Sequence, residues 1–200
     1  VGLPSEPTVQ GLIAAGLDVV AFSGDKVLGG PQAGILAGRA DMIARMRENP
    51  LTRALRCDKF SLAALEATLR LYGDPDLARR RIPTLRMLCM GPEELARAAR
   101  ALAHRLRRAL GAVCAVRVRP DVSRVGGGAF PECDLPTSLV CLTPGEDAPL
   151  SAAGLRQALL ATSPPLIGRL EGGAFCLDPR TLLPRDGADI AALLSALLRP

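Results

Sequence analysis

The chain has 25 lysines and arginines, and only Lys26 and Lys59 are lysines. Where arginine has drifted into nearly every cationic position, a lysine persists mainly where a guanidinium cannot replace it. Imine chemistry is such a place, because only a primary amine condenses with a carbonyl. Lys26 lies in Phe22-Ser23-Gly24-Asp25-Lys26-Val27-Leu28-Gly29-Gly30-Pro31-Gln32-Ala33-Gly34. An apolar strand ends there and delivers one amine to a glycine-rich turn. Partial desolvation at a strand end helps such an amine lose its proton. The Ser23 hydroxyl suits a phosphate, and glycines let backbone N–H groups approach phosphate oxygens. The combination fits a pyridoxal-phosphate site. An ordinary strand-turn-strand with a surface lysine fits the same residues, since glycine-rich turns are common. A Walker A loop does not fit, because no Gly-Lys-Ser/Thr unit has the required spacing.

Arg53 and Arg56 are three residues apart. On a helix they share a face, and two guanidiniums together bind a tetrahedral anion through paired donors. Two solvated arginines are the plainer reading. Lys59 follows and is expected only to pair in charge with Asp58. Arg79-Arg80-Arg81 suits either phosphate contact or a solvated linker. His104, on a helix among arginines, is expected at the surface, and Tyr72 in a core. The cysteines Cys57, Cys89, Cys114, Cys133, Cys141 and Cys176 form no C-x-x-C pair. With one histidine, no metal site is expected, and the thiols are expected to be reduced.

The elements that must position these groups can be read from periodicity. A short helix opens at Glu6-Pro7-Thr8 and ends near Gly16. Asp18–Phe22 and Ala33–Ala37 read as buried strands, expected to belong to a parallel sheet covered on both faces. Asp41–Glu48 is helical and Pro50 interrupts it. Leu62, Leu65, Leu69 and Tyr72 line one helical face. The polar stretch Gly73–Pro83 is taken as a domain boundary. Pro92 to Leu110 is a helix with Leu95, Ala99, Leu102 and Leu106 as its apolar stripe and Gly111 as its cap. Cys114, Val116 and Val118 alternate as a half-buried strand, and Ser138–Leu142 is another. Ser151–Ala161 is a helix, Leu166–Asp178 a hairpin turning at Gly172-Gly173, and Asp186–Leu198 a closing helix. This order implies an α+β layer of antiparallel strands.

About half of the 200 residues are apolar, with charges interspersed, which is a globular composition. No apolar run reaches membrane-spanning length, and the N-terminus lacks a signal-like core, so a cytoplasmic location is expected. The net charge of +5 favours anionic partners, nucleic acid or phosphorylated ligands.

The string SGDKVLGGPQAG closely resembles the cofactor-lysine motif of bacterial selenocysteine synthases (L-seryl-tRNA(Sec) selenium transferases), with Val27 where leucine is more usual. EPTVQGLIAAGLDVVAF, TRALRCDKFSLAALEATLRLY, IPTLRML, VGGGAFP and PPLIGRLEGGAFCLD resemble the same family in order. The resemblance implies the aspartate-aminotransferase-like fold (fold type I). Residues 1–82 would be the end of the large pyridoxal-phosphate-binding α/β domain plus linker, and 83–200 the small C-terminal α+β domain. The chain is therefore expected to be a fragment, inactive by itself, lacking most of the large domain and the N-terminal tRNA-binding domain. By the same resemblance Lys26 is the Schiff-base lysine, and Asp25 tunes it or assists loss of hydroxide, unless it merely forms the turn. Ser23, Gly30 and Gln32 would join Lys26 in holding pyridoxal 5'-phosphate, with Ser23 equally suited to capping the strand end. Arg53 and Arg56 would hold selenophosphate. The implied reaction converts seryl-tRNA(Sec) to selenocysteinyl-tRNA(Sec) through an aminoacrylyl intermediate, in a homo-oligomeric ring of dimers. Gly126-Gly127-Gly128 matches the family without a role derivable from its residues. Two other readings remain: a different fold type I lyase acting on a small phosphorylated amino acid, or a non-catalytic oligomerising fragment.

Overall fold

A computed structural model describes residues 7–126, 133–183 and 185–199, which divide into two compact units. One comprises residues 7–89 with 125–126 and 133; the other comprises Met90–Arg124 and 134–199.

In the first unit Thr8 caps α1 (Val9–Ala14), its Oγ1 accepting from Gly11 N at 3.0 Å. Strands β1 (Val19–Ser23) and β2 (Gly34–Gly38) pair from Val19↔Gly38 to Ser23↔Gly34. They are antiparallel, which corrects the parallel arrangement expected from the sequence. The connection of residues 24–33 is too short for a parallel crossover, which needs about a dozen residues or more. Nor are they buried on both faces; Val20 is the one buried residue of the hairpin's strands. Arg39 then bridges the start of the hairpin to the next helix, with 2.9 Å ion pairs to both Asp18 and Asp41.

Helix α2 (Ala40–Glu48) is followed, beyond Pro50, by the short α3 (Leu51–Leu55). Helix α4 (Lys59–Leu71) starts where Asp58 accepts from Phe60 N, Ser61 N and Ser61 Oγ. The polar segment Gly73–Pro83 is mostly helical: Asp74 caps α5 (Pro75–Arg81), whose Ala78 is buried beside Ile82. Helix α6 (Pro83–Cys89) completes the unit.

The second unit is a two-layer α+β fold. Helix α7 (Pro92–Leu110) buries the expected stripe of Leu95, Ala99, Leu102 and Leu106, and Gly111 ends it with φ 59°. Strands β3 (Cys114–Arg124) and β4 (Asp134–Pro144) form a long antiparallel pair. Helix α8 (Ala152–Leu160) is capped by Ser151. Strands β5 (Arg169–Glu171) and β6 (Ala174–Leu177) meet at Gly172-Gly173, both with positive φ as the hairpin reading required. Helix α9 (Asp186–Leu198) closes the unit. The sheet order is β3-β4-β6-β5, antiparallel throughout. One sheet face, with Val116, Val140, Leu142, Phe175 and Leu177, packs into a single core with α7, α8 and α9. Pro120 interrupts the amide row of β3, which is tolerable because β3 is an edge strand.

Candidate functional site

Lys26 sits in a loop whose neck is fixed by backbone bonds. Ser23 is the last residue of β1. Beyond it Gly24 N donates to Ala33 O, and Gly30 N donates to Gly24 O, both at 2.8 Å. Gly29 N donates to Lys26 O at 3.0 Å, which tightens the turn through Val27 and Leu28. Glycine is needed at two places. A Cβ at Gly24 would stand 2.7 Å from Pro31 O; at Gly29, where φ is +71°, it would stand 2.5 Å from Ile82 Cγ2. From the end of α4, Tyr72 Oη donates to Leu28 O at 2.9 Å. Partial burial raises the Tyr72 pKa, so the phenol remains a donor. Tyr72 was expected to be simple core; it brackets the lysine loop instead.

The Lys26 and Asp25 side chains are exposed, Gln32 is exposed, and Ser23 and Gly30 are half-buried. The neck thus fixes where Lys26 emerges, and the described residues leave its side chain exposed.

The two arginines are placed differently from the spacing argument. Arg53 lies in the last turn of α3, but the helix stops at Leu55, and Arg56 is extended with φ −63° and ψ 139°. They therefore do not share a helical face. Arg56, with Arg47, lines a groove of about 1080 Å³ walled by Phe22, Ile35, Leu36 and Leu55. Arg53 does not line it. The expected Lys59–Asp58 pairing is also replaced. Asp58 is engaged as the α4 cap, and its carboxyl is held below the usual range chiefly by the Ser61 hydroxyl, then by backbone N–H groups. Lys59 Nζ instead lies 5.4 Å from the Phe60 ring centroid.

Arg79, Arg80 and Arg81 end α5, exposed, with Arg79 3.7 Å from Asp76. His104 is exposed on α7, as expected. Gly126 has φ 73°; Gly127 and Gly128 lie outside the described residues. Among the described residues no group of His, Cys, Asp or Glu could hold a metal ion.

Sequence reasoning missed a buried polar cluster in the second unit. Asp178 Oδ1 accepts from Thr137 Oγ1 at 2.8 Å, and Asp178 Oδ2 accepts from Ser123 Oγ. Arg180 is 5% exposed and donates to Pro136 O at 2.8 Å, Ser123 Oγ at 3.2 Å and Met90 O at 3.4 Å. Desolvation lowers its pKa while Asp178 opposes the shift. The cluster ties β3, β4 and the start of the unit to one guanidinium. No local pattern marks Arg180 among so many arginines.

Comparison with known proteins places the chain. The family model described as SelA, L-seryl-tRNA selenium transferase, matches residues 1–183. The L-seryl-tRNA(Sec) selenium transferase of Desulfovibrio desulfuricans is 62% identical, over 98% of this chain and 42% of the relative. That of Nitratidesulfovibrio vulgaris is 59% identical over 98% of this chain and 40% of the relative. That of Moorella thermoacetica is 49% identical over 98% and 41%. The chain thus spans about two fifths of the length of these curated relatives. Among solved structures, D-glucosaminate-6-phosphate ammonia-lyase has a TM-score of 0.54 at 22% identity, covering 94% of this chain and 45% of its own. That likeness is one of fold, in line with the mixed α/β and α+β architecture expected from the sequence. Matched by the family model from residue 1 to residue 183 and sharing up to 62% of its residues with the relatives named here, the chain belongs to the L-seryl-tRNA selenium transferase family.

Proposed function

We propose that these residues form the lysine-bearing end of the large domain (1–82) and the small C-terminal domain (83–200) of a selenium transferase. The enzyme would convert seryl-tRNA(Sec) to selenocysteinyl-tRNA(Sec) with selenophosphate. The observation that carries this reading is the fixed loop that presents Lys26, in a chain whose relatives are named for that activity.

The residues present suit pyridoxal phosphate. Lys26 supplies a primary amine, Ser23 a hydroxyl three residues away, and the Gly24–Gly30 crossing a backbone neck that side chains would obstruct. When bound, the cofactor supplies an electron sink for charge developing at the seryl α carbon. Lys26 anchors the cofactor between turnovers and, once released, takes the α proton on Nζ and later returns it. Asp25 stands beside it to tune the lysine or to assist loss of the serine hydroxyl. Ser23, Gly30 and Gln32 orient the cofactor. Arg53 and Arg56 hold the selenophosphate anion, Arg56 from the groove beside the hairpin. The enzyme is proposed to be a cytoplasmic homo-oligomer, a ring of dimers. No helix among the described residues is long and apolar enough to cross a membrane.

The test is reductive trapping. Cofactor-loaded full-length protein, treated with borohydride and digested, should carry the label on the Lys26 peptide. The Lys26→Ala protein should carry none and should leave seryl-tRNA(Sec) unconverted. A label on Lys59, or on neither lysine, would sink the assignment.

A further inference from the structure

From residue 97 to residue 108, α7 carries Arg97, Arg100, His104, Arg105, Arg107 and Arg108 and no carboxylate. All six side chains are exposed. Arg97 reaches Glu93 only at 4.0 Å, and Arg107 Nε donates to Val116 O at 3.0 Å. Among the described residues, Arg100, Arg105 and Arg108 pair with no carboxylate. His104, Arg105 and Arg108 surround a shallow depression of about 450 Å³ that is also lined by Ala101 and Ala109. Arg199, just past α9, comes to the same end of the helix, where its Nη1 donates to Ala109 O at 2.9 Å.

Helix stability explains only part of this. Arg107 and Arg108 in the last turn complement the negative end of the helix dipole. Arg97, Arg100 and Arg105 lie further back and gain little from it. Amphipathicity requires polar residues on the outer face but not charges of one sign. The other exposed helices mix their signs: α4 pairs Arg70 with Glu66 at 2.6 Å, and α5 pairs Arg79 with Asp76. On α7 the i,i+3 pairs Arg97–Arg100 and Arg105–Arg108 repel instead. A polyanion laid along the face turns that repulsion into attraction. The charged run is about 16 Å long at 1.5 Å per residue, and the short Ala101 and Ala109 side chains leave room for a backbone to approach.

We propose that the outer face of α7 is a contact surface for the phosphate backbone of the tRNA substrate. The inference rests on the seryl-tRNA reading above. Contacts of this kind orient an RNA and give affinity without reading bases.

The experiment uses cofactor-loaded full-length protein and the triple variant Arg100→Gln/Arg105→Gln/Arg108→Gln. The affinity for seryl-tRNA(Sec) is measured over a series of salt concentrations, alongside cofactor absorbance, thermal midpoint and sedimentation. The variant should bind the tRNA at least about tenfold more weakly at low salt. Its log–log salt slope should be smaller by about 2 to 3, since each neutralised phosphate accounts for roughly 0.7–0.9 of the slope. Cofactor absorbance and thermal midpoint should hold. If wild-type protein neither binds nor converts seryl-tRNA(Sec), the proposed function itself fails. If wild-type protein does both and the variant keeps the same affinity and slope, this inference alone is overturned. A variant that changes its sedimentation but keeps its tRNA affinity would make the face a protein–protein contact and overturn it equally. Should the triple variant not fold, the three single Arg→Gln variants should each lower the slope by about 0.7–0.9; unchanged slopes in all three overturn the proposal.

Discussion

At the scale of single residues, the chain's chemistry depends on how side chains are aimed, and aim was only partly visible in the sequence. The tight loop that carries Lys26 was legible because the glycines around it announce it. The bracket that fixes the loop was not, since Tyr72 reaches Leu28 O from 44 residues away along the chain. Tyr72→Phe removes that donor and leaves a half-buried carbonyl with one partner fewer, an effect of about 1 kcal/mol. Exchange of the hydrogen-bonded Gly29 and Gly30 amides should accelerate about fivefold, and the full-length protein should hold its cofactor less tightly. Unchanged exchange at both amides would show that the backbone neck alone fixes the loop. The arginines make a second case. Their spacing suggested one helical face, but Asp58 begins a new helix so soon that α3 ends at Leu55 and leaves Arg56 extended. Arg56 lines the hairpin groove and Arg53 does not. Arg56→Ala should therefore raise the KM for selenophosphate by about tenfold, the worth of one charge-assisted contact, with Arg53→Ala the milder of the two. Cofactor absorbance should be unchanged in both. Equal, wild-type donor dependence in the two variants would remove them from the anion site.

At the scale of elements, what was legible followed the apolar period. Helix α7, its Gly111 cap, the β5–β6 turn and α9 all emerged as read, because each buries a face whose spacing is local and uninterrupted. Helix α5 was hidden behind its three arginines, although Asp74-Pro75 is a normal helix start and Ala78 with Ile82 gives it a buried side. The antiparallel pairing of β1 with β2 was hidden for another reason. Two apolar runs do not state their direction, and only the short connection does. The Arg180 cluster was beyond any local pattern, since it joins partners up to 90 residues apart in the chain. Its energetic weight follows from burial. Arg180→Met would leave Pro136 O and Ser123 Oγ without that donor and deprive the Asp178 carboxylate of its positive neighbour. Leaving buried acceptors without their charged donor costs about 1–3 kcal/mol. The exposed Arg185→Met should stay within about 0.5 kcal/mol. Denaturant unfolding that reports on the second unit measures both, and equal stability in the two variants would show the cluster to be dispensable.

At the scale of the whole chain, the two units differ in how much of their apolar surface they bury. The second has a continuous core running from Ala99 on α7 through Val140, Phe175 and Leu177 to Leu198 on α9. In the first, helices α1 to α4 contain no buried residue. Leu51 is 65% exposed, Leu55 78%, Phe60 76% and Leu62 55%. Large apolar side chains left in water gain nothing from the hydrophobic effect, and a contiguous patch of them favours association. The relatives are more than twice as long as this chain, so there is ample further sequence in the family to cover such a surface. Two outcomes are expected from residues 1–200 expressed alone. Amide protection should concentrate in α7, β3, β4, β6 and α9, with the hairpin and α2–α4 exchanging orders of magnitude faster, as local opening without a core predicts. Added pyridoxal phosphate and selenophosphate should give no conversion of seryl-tRNA(Sec), because Lys26 emerges from the weaker unit with its side chain exposed. A chain trimmed to residues 90–199 should keep the same protected set and melt cooperatively. Strong protection across the hairpin in the 200-residue chain, together with turnover, would mean that the first unit needs nothing beyond these residues to build its site.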